Sequence, residues 1–176
     1  LITLVQEGND GLVSQMAKDV VCITAKGKPI KAKTVGQQKY MKAIQIPAIN
    51  EMQVVETAKP VVKAGEVLVK IHYVGFCGSD LNTFLGKNPM VKMPVIPGHE
   101  IGAVIEEVGE GVPATLTPGM IVTVNPYTNC GKCASCRNRR YNACEHNETL
   151  GVQRNGAMAE YLVLPWEKII PATGIS

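Results

Sequence analysis

The stretch EVLVKIHYVGFCGSD, residues 66–80, decides how the chain folds. Val67, Val69, Ile71 and Tyr73 alternate with Lys70 and His72, the period of a half-buried antiparallel strand with one apolar face. Beyond Gly75 the chain turns polar, and a short helix is expected from Ser79 to Leu85, with Ser79 or Asp80 as its cap and Gly86 as its terminator. Outward from this segment, short apolar runs separated by Gly and Pro recur at Met41 to Ile46, Met52 to Glu56, Ile101 to Val108 and Met120 to Val124. Such punctuation predicts a mainly β fold, a barrel or sandwich, with a further helical turn between Cys133 and Arg140.

A chain of 176 residues, 45% hydrophobic and 19% charged, is long enough to bury a core. Lys70 and His72 interrupt its apolar runs, which fall short of the roughly 20 residues a membrane span needs. The Leu1 to Val5 stretch lacks the basic leader of a secretory signal, and a cytoplasmic protein is expected. A net charge of +3 and 5% aromatics favour neither nucleic acid nor a membrane surface as partner.

Of the six cysteines, Cys130, Cys133, Cys136 and Cys144 lie within one loop. Two-residue gaps let successive thiolates fold back on one tetrahedral centre, the donor set of a structural zinc. Bacterial ferredoxins also begin C-x-x-C-x-x-C, but they continue x3-C-P, whereas here seven residues follow and no proline does. Four free thiols so close would be an oxidation liability. Four thiolates around a zinc dication leave a net charge near minus two, which backbone amides and Lys132, Arg137, Arg139 and Arg140 are expected to answer.

Cys77 follows the strongest predicted strand, and His99 stands in PGHE at the start of the next. Either residue alone reads as core or surface. Together they supply a thiolate and an imidazole, two of the three protein ligands that a catalytic zinc uses. Asp80 is placed to accept the other ring N–H of His99, and Ser79 to bond a zinc-bound oxygen and pass on its proton; both read equally well as helix caps. Glu100 either ligates the metal or sits just behind it. His72 and His146 are assigned to the surface.

With MKAIQI (41–46), GFCGSDLNTFLG (75–86), PVIPGHEIGAVIEEVGEGV (94–112), PGMIVTVNP (118–126), the cysteine quartet and GAMAEYLVLP (156–165), residues 41–176 resemble the GroES-like catalytic domain of the zinc-dependent medium-chain alcohol dehydrogenases, especially the polyol branch. The resemblance implies a partly open β-barrel with a zinc lobe at 127–147. It implies that Cys77 and His99 bind catalytic zinc, that the quartet binds structural zinc, and that Ser79 relays a proton. A small alcohol or polyol would be oxidised by hydride transfer to NAD or NADP, with zinc as Lewis acid. A homo-oligomer is compatible with it.

Where many members carry a histidine three residues beyond the serine, this chain has Asn82, so the relay is expected to run through water or the cofactor ribose. The polyol members' third zinc ligand, a glutamate, and their Rossmann domain are expected beyond Ser176, which predicts that these residues are inactive alone. GEGVPA (109–114) imitates a dinucleotide fingerprint, but Pro113 precedes another turn rather than a helix. A stand-alone zinc-stabilised scaffold is the alternative from another class, and a zinc-free quinone reductase would have no need for these cysteines.

Residues 1–40 do not share the β rhythm and are read as a leader of unassigned function. Leu12, Val13, Met16 and Ala17 have helical spacing, Val20 to Thr24 suits a strand, and Cys22 reads as a small buried thiol. AKGKPIKAKTVGQQKY (25–40) weakly resembles the lead-in to the phosphate loop of PhoH-like ATPases, but no G-x-x-x-x-G-K-[ST] follows.

Overall fold

The computed structural model describes residues 20–23, 29–31 and 40–172. Strands β1 (Val20–Ile23) and β2 (Pro29–Lys31) pair antiparallel, which agrees with a strand at Val20. The helical spacing at residues 12–17, most of the 25–40 segment and the Cys22 side chain lie outside what is described.

The remainder is mainly β. Strands β3 (Tyr40–Gln45) and β4 (Gln53–Ala58) form one antiparallel pair. A five-stranded sheet holds β5 (Glu66–Gly75), β6 (Glu100–Val108), β7 (Ile121–Val124), β8 (Tyr161–Pro165) and β9 (Ile169–Pro171), in the spatial order β8-β5-β6-β7-β9. Backbone bonds join the two: Ile44 N–H donates to Met158 O at 2.8 Å and Glu160 N–H to Lys42 O at 3.1 Å. The Ala43–Ala159 bridge links the two as well, and the strands do not close into a barrel among the described residues, a partly open β fold.

Each strand expected from Met41 onward is present within a residue or two of its predicted bounds. Strand β5 departs from strict alternation, because Leu68 is buried along with Val67, Val69 and Ile71, while Tyr73 is 53% exposed. The cause is position. Strand β5 is flanked by β6 and β8, and irregularities at Leu68/Val69 and Ile71/Tyr73 break its register with β6. Such bulges rotate a strand locally, and here they turn Tyr73 out of the core. The main core joins Val67, Val69, Ile105, Val122, Leu150 and Leu164, each contributing about 1.5–3 kcal/mol on burial.

Helix α1 (Gly78–Phe84) begins one residue earlier than expected and is capped differently. Cys77 occupies the N-cap, and Asp80, in the third helical position, accepts the Cys77 N–H at 3.0 Å. The short-range competition between cap positions is won by Asp80 reaching back, so Ser79 is left free. Gly86, at φ 68, ends the helix as its lack of Cβ allows. A second short helix, α2 (Ala134–Arg137), falls in the predicted turn of the cysteine loop, and GEGVPA is a turn with no helix after it.

Candidate metal centres

Antiparallel pairing of β5 and β6 sets Gly75 opposite Glu100. The exit of one strand therefore lies beside the entry of the next, and Cys77 and His99, remote in sequence, are brought together there. Donor atoms of Cys77, His99 and Glu100 all lie within 4.8 Å of one another. Cys77 and His99 are half-buried and Glu100 is exposed. Gly75 makes room for this, since a Cβ there would collide with the Glu100 carboxylate.

Ser79 Oγ lies 3.3 Å from His99 Nε2. Asp80 is 1% exposed and serves the backbone: Oδ2 accepts from Cys77 N–H and Oδ1 from Gly98 N–H, both at 3.0 Å. The direct bond expected from Asp80 to His99 is not formed. Asp80 Oδ1 stands 3.7 Å from Nδ1, which has no hydrogen-bond partner. The two amides have taken the near lone pairs, so the carboxylate orients the two donor-bearing segments more than the ring.

A second support escapes sequence reading. The loop at 151–158 is bonded to the segment before His99: Gly156 N–H to Ile96 O at 2.6 Å, Met158 N–H to Pro97 O and Ala157 N–H to Gly98 O, both at 2.9 Å. Asn155 Oδ1 adds a bond from Ile96 N–H at 3.0 Å. A Cβ on Gly156 would meet the Gly98 carbonyl, and one on Gly151, at φ 73, would come within 2.8 Å of Gly98 N. The glycines of GVQRNGA are the signal for this close backbone approach.

The cysteine quartet forms a separate centre in which all four sulfurs lie within 4.8 Å of one another. Cys130 and Cys136 sulfurs are 4.0 Å apart, and those of Cys133 and Cys144 3.9 Å. Zinc at about 2.3 Å from each sulfur of a tetrahedron requires about 3.8 Å between them, so the residues fit a closed zinc site. Cys130 N–H and His146 N–H donate to Cys144 Sγ at 3.3 Å, and Cys133 N–H to Cys130 Sγ at 3.4 Å. Amides of Cys136 and Glu145 hold the Cys133 thiol down at about 6, while burial pushes that of Cys136 up to about 12. The cationic side chains expected around the sulfurs do not bond them among the described residues; Arg137 donates to the Lys132 carbonyl at 2.6 Å. Backbone amides supply the compensation because they are fixed by the loop itself. His72 and His146 are exposed.

No described helix is long and apolar enough to cross a membrane.

A mainly β fold with this pair of donor clusters defines a class, and comparison with known proteins gives it a family. Residues 63–174 match the alcohol dehydrogenase GroES-like domain, and the chain belongs to the medium-chain dehydrogenase family. It is 35% identical over 133 residues to D-arabitol-phosphate dehydrogenase of Enterococcus avium, a match covering 74% of this chain and 38% of that protein. A short chain alcohol dehydrogenase (rspB) from Escherichia coli CFT073, solved with NADH, superposes at TM-score 0.70 with 38% identity, covering 76% of this chain and 38% of that one. The cobalt- and zinc-bound alcohol dehydrogenase of Pyrobaculum aerophilum superposes at 0.67 with 30% identity, covering 77% and 42%. This chain thus spans about two-fifths of the length of these relatives.

Proposed function

We propose that this chain is the zinc-binding catalytic domain of an NAD(P)-linked alcohol or polyol dehydrogenase, with domain bounds 41–176 after a leader at 1–40. The observation that supports it most is the convergence of Cys77, His99 and Glu100 beside the Ser79 hydroxyl. A thiolate, an imidazole and a carboxylate suit zinc and leave a coordination position open, whereas the quartet is closed and serves structure.

When bound, zinc supplies Lewis acidity toward a substrate hydroxyl. Ser79 Oγ, next to His99 Nε2, is positioned to take that hydroxyl's proton and hand it outward, the Asn82 side chain being unable to titrate. Asp80 keeps the Cys77 and Gly98 backbones in place during this exchange. When bound, NAD or NADP would supply the hydride acceptor, and a strand–GxGxxG–helix unit to hold that cofactor is not among the described residues. Residues 1–176 alone are therefore proposed to bind metal without turning over alcohol.

Metal analysis of the purified chain tests the reading. Two zinc equivalents are expected, one of which Cys77→Ser or His99→Ala removes. A single equivalent that survives both substitutions would leave only a zinc-stabilised scaffold.

A further inference from the structure

The four sulfurs of the quartet are not equally placed. Cys133, Cys136 and Cys144 are buried, while Cys130 is half-buried and is the one a dissolved oxidant reaches first. They also divide into two close pairs, Cys130 with Cys136 at 4.0 Å and Cys133 with Cys144 at 3.9 Å. A disulfide bond is about 2.05 Å long, so either pair closes on an approach of about 2 Å. For the first pair the chain has room to give. Gly131, next to Cys130, lies at φ 72, and a Cβ built there would stand in open space. Cys136 is the fixed member: it lies in α2, its N–H donating to Cys133 Sγ at 3.5 Å, and the N–H of Arg137 reaches Cys133 O at 3.0 Å. Access, a facing sulfur and an unobstructed backbone therefore coincide at Cys130.

We propose that the quartet is a peroxide-sensitive site, with Cys130 oxidised first and Cys136 as its resolving partner. The Cys130 thiolate attacks the O–O bond of a hydroperoxide; an S–O bond forms, the O–O bond breaks, and hydroxide or alkoxide leaves. The Cys136 thiolate then attacks the sulfenic sulfur, the S–S bond forms, and the S–O electron pair departs with hydroxide. Two electrons have passed from the sulfurs to one peroxide. Cys133 and Cys144 alone are too few donors for a closed tetrahedral zinc site, so the loop gives up its metal. A second peroxide joins Cys133 to Cys144 by the same steps. Of the three ways to link four cysteines, the geometry thus selects 130–136 with 133–144. The inference rests on the structural-zinc reading of the quartet and adds to it a mode of regulation.

The test adds hydrogen peroxide to the zinc-loaded Cys77→Ser chain, in which the quartet is left as the zinc site, with a chromogenic chelator present. Free thiols are then trapped and the disulfides mapped by peptide mass. One zinc equivalent should be lost as the 130–136 disulfide forms, before any 133–144 disulfide, and a dithiol reductant with added zinc should restore the loaded chain. A first disulfide between any other pair overturns the proposal, as does zinc retained through peroxide in excess or thiols carried to sulfinic acid with no disulfide. A chain that holds no zinc before peroxide is added overturns the structural-zinc reading as well. Should Cys77→Ser not fold, the order of disulfides in the zinc-loaded wild type decides, because peptide mapping assigns each cysteine separately.

Discussion

Asp80 Oδ1 accepts the backbone N–H of Gly98 at 3.0 Å, tying the start of helix α1 to the segment that presents His99. Its other oxygen holds Cys77 N–H at the same distance, so one buried carboxylate joins both donor-bearing stretches. Asp80→Ala should cost about 3 kcal/mol, because two buried amides lose a charged acceptor at once. Asp80→Asn, which retains one acceptor oxygen, should lose about half of that. Urea denaturation of the zinc-loaded proteins measures both, and an unchanged midpoint for the alanine variant would contradict this account.

The glycine contacts predict a site defect made from a distance. Gly151→Ala places a methyl group against Gly98 N on a residue at φ 73, and a loss of roughly 2–4 kcal/mol is expected from strain and overpacking. Because the displaced segment carries His99, metal should be lost from the mixed centre before the quartet. Zinc stoichiometry under a graded chelator distinguishes the two.

Cys136→Ser should remove the quartet's zinc while sparing the five-stranded sheet, whose core of Val67, Ile105 and Leu164 lies outside the lobe. Limited proteolysis should then cut within 130–144, the loop that the proposed zinc would order. Circular dichroism of the sheet should be nearly unchanged; its collapse would show that the lobe is needed for folding of the whole domain.

Zinc uptake by the quartet should strengthen as pH rises from about 6 to about 9. Cys133, lowered from the ordinary 9.0 to about 6, is a thiolate at neutral pH; it stabilises the folded lobe above 9, and that contribution is lost as pH falls through 6. Cys136, raised to about 12, stabilises the lobe below 9 as a thiol and loses that effect as pH climbs through 12. Zinc needs the thiolates, so binding must expel the Cys136 proton. Calorimetric titration in buffers of different ionisation enthalpy counts the protons released, and pH-independent affinity would be the contrary result.

Local pattern alone determined much of this protein. Alternation and Gly/Pro punctuation marked β3 to β7, since side-chain period and backbone torsion are properties of neighbours in the chain. The quartet was readable for the same reason: its donors share one loop, and two-residue gaps limit where the sulfurs can go. Strands β8 and β9 carry no such local mark, being short segments whose pairing partners lie far away in sequence. Tertiary structure decided the rest. The alignment of Gly75 with Glu100 makes Cys77 and His99 neighbours, the two amides draw Asp80 away from the imidazole, and Gly151 and Gly156 let one backbone press against another. Each of these depends on register and close approach between distant segments, where an ångström determines whether a bond forms, and a sequence fixes such distances only through the whole packed fold.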